Sequence, residues 1–438
     1  MDRAEFERRR RELMAMMGPG SVAVLPAAPE RIRNRDANYP YRQDSDFYYL
    51  TGFNEPEAVL VLIPGRKHGE YLLFCRERDP AREVWDGPRA GQEGAVRDYG
   101  ADDSFPIDDI DEILPGLIEG REKLFYTMGV DLEFDQRVIG WVNEVRSNAR
   151  SGAKEPGEFV SLQHLLHEMR LIKSRAEIEI MRRAAQVSAA AHRRAMEICR
   201  PGMMEYEIEA EFQAIFRRHN GWPAYQTIVG SGANTCILHY VNNDKQLKDG
   251  DLLLIDAGVE LECYASDITR TFPVNGRFSP EQKAVYEIVL EAQLAAIDQV
   301  KPGRSWNDAH EVATRILTQG LIDLGLLEGP LDKALEQGDY RRFYMHRTGH
   351  WLGMDVHDVG DYRVDGEWRV LEPGMVITVE PGLYIAAGSE GVDPKWWNIG
   401  VRIEDDVLVT RDGNEVLTKD VPKTVAEIEA LMAAGRKG

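Results

Sequence analysis

Apolar positions in the second half of the chain alternate between helical and strand-like spacing, in an order that occurs twice. The first copy predicts a helix from Ser174 to Cys199, where Glu177 completes a capping box, then a helix near 205–219 and strands. In the second copy Ser279 caps a long helix, Ser305 caps the next helix, and strands follow again. We interpret this recurrence as an internal duplication of a helix-helix-strand-strand unit.

The recurrence extends to individual residues. The segment GDLLLIDAG aligns with GMVITVEPG, and this alignment places Asp256 opposite Glu380 at the ends of two apolar strands. A second strand with another carboxylate follows each segment, Asp267 in the first copy and Glu404 in the second. One aligned segment could match by chance, but the shared helix order favours duplication. We therefore predict two carboxylate pairs, placed equivalently and sharing one centre.

The first part of the chain has a different pattern. The strand-like runs SVAVLP, AVLVLIP and YLLFC are mixed with helical segments, which predicts a smaller α/β domain. The polar segment NARSGAKEPGE, at 148–158, is broken by Gly and Pro and is typical of a connection near the end of a domain. We place the domains at 1–170 and 171–438, and the complete fold in the α+β class.

Composition narrows the functional classes. A chain of 438 residues exceeds what one core usually organises, and the absence of a run of about 18 apolar residues argues against a membrane span. The net charge of -21 would repel phosphate backbones, so nucleic acid is not an expected partner. The four cysteines are far apart, which favours the reducing cytoplasm over disulfides or a thiolate metal site.

Acidic residues at the ends of apolar strands suggest chemistry. Asp256 follows LLLI and Glu380 follows VITV, although burying an ionised carboxylate is costly unless it is paired or bound to metal. A single such residue is usually a salt bridge or a strand-end cap. Two of them, each with a partner carboxylate, favour a metal site.

Histidines are concentrated in the segment HRTGHWLGMDVHD, which contains His346, His350 and His357. We expect at least one of them to be a metal ligand. Four carboxylates and a neutral imidazole balance two divalent cations, whereas one cation would leave strong repulsion. Oxygen-rich ligands favour manganese, cobalt or magnesium-like ions, and zinc stays open. Two such ions can share a hydroxide that attacks a carbonyl, so the predicted chemistry is hydrolytic.

These segments carry a family resemblance. The order IDAG, SDITRTF, HRTGHWLGMDVHD, VITVEPG and VRIEDD resembles the metallopeptidases with the pita-bread fold, and most closely the bacterial Xaa-Pro aminopeptidase (aminopeptidase P) family. The resemblance also includes YPYRQDSDFYYLTGFNEPEAVLVLI in the N-terminal domain. It implies an aminopeptidase with two divalent ions, preferably Mn²⁺, that hydrolyses an N-terminal Xaa-Pro bond by attack of a metal-bridging hydroxide.

The resemblance also implies a ligand set. Asp256 and Asp267 would hold one ion, His350 and Glu380 would hold the second, and Asp267 and Glu404 would bridge the two. Glu380 would in addition accept the proton of the bridging water and pass it to the departing proline nitrogen.

Further residues receive roles from the resemblance alone. His357 would hydrogen-bond the scissile carbonyl, and His239 would line the proline pocket beside His350. Arg402 and Tyr384 would lie near Asp256, although an ordinary ion pair and a core tyrosine are the alternatives.

Two residues of the N-terminal domain have a functional and a structural interpretation each. Asp36 would reach in towards the site, with a merely structural role equally open. Trp85 would contact substrate in a neighbouring subunit, or serve as an exposed aromatic residue or a core anchor.

The expected partners are peptides with proline in the second position, together with further copies of the chain in a homotetramer. An Xaa-Pro dipeptidase could share all five ligands, but it would need a site for the proline carboxylate. A metal-free interaction module on the same fold is the alternative from a different functional class.

Overall fold

The chain divides into two compact units, Met1–Met169 and Arg170–Gly438, in a computed structural model that describes residues 1–436. Helices and strands occur in both units, and the α+β class predicted from the sequence is confirmed. Among the described residues, none of the helices combines the length and the apolar character needed to cross a lipid bilayer.

The first unit contains a six-stranded mixed sheet covered by helices. Its strands are β1 (Ser21–Pro26), β2 (Ile32–Asn34), β3 (Ala37–Asn38), β4 (Val59–Leu62), β5 (Tyr71–Cys75), β6 (Asp103–Pro106), β7 (Lys123–Phe125) and β8 (Glu158–Val160). Its helices are α1 (Arg3–Met17), α2 (Ser45–Thr51), α3 (Pro80–Asp86), α4 (Gly91–Tyr99), α5 (Ile110–Ile118), α6 (Leu132–Ser147) and α7 (Gln163–Leu171), the last of which continues across the boundary. The sheet order is β6-β5-β4-β1-β7-β8, and β2 and β3 form a separate hairpin.

The polar connection at 148–158 lies inside this unit, which ends at Met169. It leads into β8, which pairs in parallel with β7 and forms one edge of the sheet. The three strand-like runs identified from the sequence form β1, β4 and β5, whose apolar side chains pack against α5 and α6. A polar surface loop can separate two elements of one domain as readily as two domains.

The second unit repeats a helical pair followed by strands. Its helices are α8 (Arg175–Ile198), α9 (Glu205–Arg218), α10 (Pro280–Gln299), α11 (Trp306–Asp323), α12 (Leu331–Gln337) and α13 (Val425–Gly435). The strands of the first copy are β9 (Trp222–Pro223), β10 (Ile228–Ser231), β11 (Leu252–Asp256), β12 (Val259–Leu261), β13 (Tyr264–Ala265) and β14 (Thr269–Pro273). Those that follow are β15 (Arg363–Val364), β16 (Glu367–Trp368), β17 (Val376–Val379), β18 (Gly382–Ile385), β19 (Ile399–Arg402), β20 (Asp405–Val409) and β21 (Asn414–Val416).

Helix caps explain where these helices begin. The side chains of Ser174 and Ser279 accept backbone N–H groups at the starts of α8 and α10, as the sequence predicts, and both form capping boxes. Ser305 caps α11 in the same way, with Asp308 as its partner. Each box satisfies N–H groups that the first helical turn leaves without a partner, so the helical starts were accessible from sequence.

Strand register shows how far the two copies correspond. Asp256 of β11 is paired with Thr269 of β14, and Val379 of β17 is paired with Asp405 of β20. The second register places Glu380 opposite Glu404, so Asp256 and Glu380 are equivalent, as predicted. The expected equivalence of Asp267 and Glu404 is wrong, because the counterpart of Glu404 is Thr269. Asp267 is two residues away, and the strand period of two still directs it to the same face.

A buried histidine of the first copy lies beside the residue that follows Asp256. His192 of α8 is fully buried, its ring packs edge-on against Phe212, and its Nε2 atom lies 3.0 Å from the Ala257 carbonyl oxygen. Among the described residues its Nδ1 atom has no hydrogen-bond partner. Burial lowers the pKa of His192 to about 3, so the folded protein keeps this ring neutral.

This pKa predicts a loss of stability in mild acid. The unfolded chain takes up the proton of His192 below a pH of about 6.5, whereas the folded chain does not, so stability falls as the pH decreases from there. Between pH 7.5 and 5.5, the free energy of unfolding should fall by about 1 kcal/mol more in the wild type than in His192→Gln. Urea titrations at the two pH values measure the free energy of unfolding. The matched control is His68→Gln, which removes an exposed histidine. Equal losses in all three proteins would contradict the assignment.

Candidate metal centre

Four carboxylates reach one cavity because each lies where a strand begins or ends. Asp256 ends β11 and Glu380 directly follows β17, while Asp267 and Glu404 shortly precede β14 and β20. Backbone hydrogen bonds hold these strand ends in place. For example, the N–H of Glu380 donates to the Thr348 carbonyl oxygen at 2.7 Å. All four carboxylates line a cavity of about 460 Å³. The convergence expected from the sequence is thus present in the structure.

His350 connects the two pairs. Its Nε2 atom lies 3.4 Å from Oδ2 of Asp267 and 3.6 Å from Oε1 of Glu380. Ligand atoms of Asp267, His350 and Glu404 all lie within 4.8 Å of one another. This separation is suited to a shared cation, because metal–ligand distances of about 2 Å from one centre place ligand atoms 3–4 Å apart.

The orientation of His350 leaves one ring nitrogen available. Its Nδ1 atom lies 2.9 Å from the Trp351 carbonyl oxygen, which can only accept, so Nδ1 carries a proton, and in the neutral ring Nε2 keeps the lone pair that can bind a metal. The preceding Gly349 has no room for a side chain, since a Cβ there would lie 1.9 Å from the Thr378 carbonyl oxygen. Close contact of this segment with β17 therefore sets where the imidazole points.

The electrostatics of the cluster favour a cation. Burial raises the pKa of Asp256 and Glu404, and it raises that of Glu380 to about 7, where neighbouring carboxylates add to the effect. Burial is the largest single effect on Asp267 and acts in the same direction, but the hydrogen bond and the charge of His350, together with its other neighbours, outweigh burial and lower the pKa of Asp267. For His350, burial lowers the pKa, but the bond to Asp267 and the charge of Glu380 raise it to about 9. Four carboxylates and one imidazole fit divalent cations, which would relieve this repulsion.

A fixed positive charge borders the same cluster. The Nη2 atom of Arg402 lies 2.7 Å from Oδ2 of Asp256, and its Nη1 atom donates to the Tyr384 hydroxyl at 3.0 Å. Its Nε atom donates to the Thr269 hydroxyl, which in turn donates to Glu404 at 2.7 Å. Arg402 therefore supports a carboxylate from each copy, and Tyr384 supports Arg402 from behind without lining the cavity.

Sequence reasoning missed Tyr225. Its buried hydroxyl lies 2.5 Å from Oδ1 of both Asp256 and Asp267, and its ring lines the cavity. No motif marks this residue, which occupies the irregular segment between β9 and β10. Its position in the chain does indicate that it is close to Asp256, because it lies three residues before Ile228, which is paired with Asp256. That signal requires the strand register, which the sequence alone does not provide.

The other predicted residues are divided between the cavity and the first unit. His239 and His357 line the cavity, and the rings of His357 and His350 meet edge-on at 4.4 Å. Trp85 belongs to α3 of the first unit with 83% of its surface exposed, and Asp36 lies in the exposed turn between β2 and β3. Neither Trp85 nor Asp36 lines the cavity.

Comparison with known proteins gives the family. The model of metallopeptidase family M24 matches residues 179–411, which include every carboxylate and histidine of the cluster. The chain belongs to metallopeptidase family M24. A second model, described as the N-terminal domain of aminopeptidase P, matches residues 6–126. The pita-bread fold class and the resemblance identified from the sequence are confirmed, and the metal cluster lies within the M24 match.

Similarity to individual M24 relatives extends over the whole chain. The Xaa-Pro aminopeptidase of Escherichia coli (strain K12) is 48% identical over 439 residues, covering 100% of this chain and 99% of that protein. Xaa-Pro aminopeptidase 3 of Homo sapiens is 35% identical and covers 98% of this chain and 86% of that protein. Among solved structures, Pseudomonas aeruginosa aminopeptidase PepP is 65% identical with a TM-score of 0.99, covering 100% of this chain and 99% of that one.

Removal of metal should destabilise the second unit, because the buried carboxylates would then face one another without compensating charge. Chelation at neutral pH should lower its melting temperature by at least about 5 °C, and the added divalent ion should restore it. Calorimetry with parallel metal analysis makes the measurement. An unchanged melting temperature after confirmed metal loss would contradict a buried, charge-repelling cluster.

Proposed function

We propose that this chain is an Xaa-Pro aminopeptidase, which removes the first residue from peptides that have proline in the second position. The convergence of five metal-ligand side chains on one cavity carries the proposal. Relatives also support the proposal, because proteins named Xaa-Pro aminopeptidase match this chain over nearly its full length. Complete ligands argue against the metal-free interaction module, since such a module would not need to keep a buried charge cluster.

The ligand set is suited to two divalent ions. Asp256, Asp267, His350, Glu380 and Glu404 would hold them. Manganese is our preferred metal because four of the five ligands are carboxylates, with cobalt and zinc as alternatives. When bound, the ions supply a hydroxide nucleophile at neutral pH and stabilise the charge that develops on the scissile carbonyl oxygen.

The chain's own side chains move the protons. We assign Glu380 as the acceptor of the proton of the attacking water, because its carboxylate lies on the cavity wall within 3.6 Å of His350. It then donates this proton to the proline nitrogen as the peptide leaves, since that nitrogen carries no hydrogen of its own. His357, whose ring meets that of His350 edge-on in the same cavity, donates a hydrogen bond to the scissile carbonyl oxygen.

The cavity walls give proline specificity a physical basis. Beside His239 and His350, the wall contains aliphatic side chains that can pack against a pyrrolidine ring, namely Ile228, Leu238, Val241 and Val356. A proline residue presents an apolar ring and has no backbone N–H to donate. An apolar wall can therefore bind it without offering a hydrogen-bond acceptor at that position. The nearby carboxylates would take the positively charged amino terminus of the substrate, which restricts cleavage to the first bond.

We also propose a homotetramer in which Trp85 meets the substrate of a neighbouring copy. This proposal is supported by an exposed apolar surface on α3, where Trp85 and Val84 are both more than 80% exposed. Exposed aromatic side chains are enriched at interfaces, where they bury a large apolar area. Light scattering of the native protein measures the assembly directly, and a monomer would overturn this part of the proposal. The cytoplasmic location expected from the cysteines stays a prediction.

A peptide series tests the activity. With manganese, the wild type should hydrolyse Xaa-Pro-Yaa-Yaa, and Xaa-Ala-Yaa-Yaa should be cleaved at least about 100-fold less efficiently, since the alanine methyl group leaves the apolar wall uncovered. Chromatography of the products gives kcat/KM for each peptide. Cleavage of the dipeptide Xaa-Pro alone would instead identify a dipeptidase. Absence of any bound divalent ion after purification, with no turnover, would favour the interaction module.

Glu380 provides the second test. Glu380→Gln keeps the shape of the side chain but cannot accept the proton of water, so kcat should fall by about 10³-fold. The matched control is Glu372→Gln, which changes an exposed glutamate in the loop before the same strand. Turnover and metal content are measured together for both variants. Normal turnover in Glu380→Gln would remove Glu380 from the proton-transfer step.

A further inference from the structure

An irregular loop carries one wall of the cavity. Residues 237–251, here called the His239 loop, connect the turn after β10 to β11 and contribute Leu238, His239 and Val241 to the cavity lining. His239 itself is exposed. A loop with so little regular structure has no ladder of hydrogen bonds to fix it, so the precision of its side chains depends on separate anchors.

Glu205 is such an anchor. It is the first residue of α9, is completely buried, and its carboxyl group accepts hydrogen bonds through both oxygens. Oε1 accepts from the N–H and the hydroxyl of Ser231 at 2.8 and 2.7 Å, and from the side chain of Asn234 at 3.2 Å. Oε2 accepts from the Tyr240 hydroxyl at 2.8 Å and the Lys245 N–H at 3.0 Å. One oxygen thus holds the end of β10 and the turn after it, and the other holds the loop.

Tyr240 transmits this anchor to the cavity. It is adjacent to His239 in the chain, and its ring is buried in a cluster with Ile228, Leu254 and Tyr384. The ring and its hydroxyl therefore fix the backbone from which His239 projects. His239, being exposed, has no comparable packing of its own.

We propose that Glu205, acting through Tyr240, is the positioning residue for His239. This inference rests on the proposed function, in which His239 meets the proline ring. Glutamate suits the task because both of its oxygens accept, whereas glutamine offers one acceptor oxygen and an amide that would face the Lys245 N–H. The helix N-terminus also favours the carboxylate.

A purely structural role predicts different behaviour. A residue that only stabilises the fold would lower the melting temperature, and its effect on turnover would be independent of His239. A positioning residue loses its effect once His239 is removed, because there is then nothing left to position. The coupling between the two sites is therefore the decisive quantity.

The experiment uses the metal-loaded full chain with an Xaa-Pro-Yaa-Yaa peptide. Tyr240→Phe and Glu205→Gln should each lower kcat/KM by about 10-fold in the wild-type background and by less than about 2-fold in His239→Ala. The matched control is Tyr286→Phe, which also removes one buried hydroxyl bond, to the Lys423 carbonyl oxygen. It should change kcat/KM by less than about 2-fold in both backgrounds. Additive effects of Tyr240→Phe and His239→Ala would overturn the proposal.

Hydrogen exchange separates this inference from the proposed function. In Glu205→Gln the amides of the His239 loop, including Lys245, should exchange at least about 10-fold faster than in the wild type, while those of α10 keep their rates. This readout needs no substrate. If the wild type fails to cleave Xaa-Pro peptides, the proposed function fails, yet faster exchange would still support the anchor. Unchanged exchange would overturn the anchor itself.

Discussion

Repulsion between four carboxylates, two of them buried and two partly buried, is the constraint on which the second unit depends. Asp256, Asp267, Glu380 and Glu404 line one cavity, and burial alone would favour their neutral forms. Their charges are tolerable only with compensating positive charge, from the Arg402 guanidinium, from the His350 proton or from bound cations. The strands that present these side chains therefore require positive charge between them, part of which the chain itself supplies through Arg402.

The duplicated strands place side chains equivalently in the two copies, and the site depends on the positions at which the copies differ. Both copies end an apolar strand on a carboxylate, which gives Asp256 and Glu380 equivalent places. On the neighbouring strands the copies differ: the register makes Thr269 the counterpart of Glu404, and Arg402 the counterpart of Asp267. A symmetric pair of halves would carry like charge at both positions. The first half instead contributes the Asp267 carboxylate where the second half contributes the Arg402 guanidinium. Arg402 pairs with Asp256 of the first half, and Asp267 lies beside His350.

Signals confined to neighbouring residues were sufficient to predict much of this molecule. The caps at Ser174 and Ser279, the strands ending on Asp256 and Glu380, and the family motifs all follow from short segments. Features that depend on register or on distant packing were not accessible in this way. Tyr225 touches two ligands from an unmarked loop, and the offset between Asp267 and Glu404 appears only when the strands are paired. Glu205 looks like any helix N-terminal glutamate until its five donors are seen.

Arg402 has a consequence for how the protein matures. Because its guanidinium is built into strand β19, the newly made chain carries part of the required positive charge from the moment it folds. The pocket can therefore take shape in a metal-poor surrounding and acquire its ions afterwards. A divalent ion that binds after folding would then be selected by its supply at that moment as well as by the preference of the ligands.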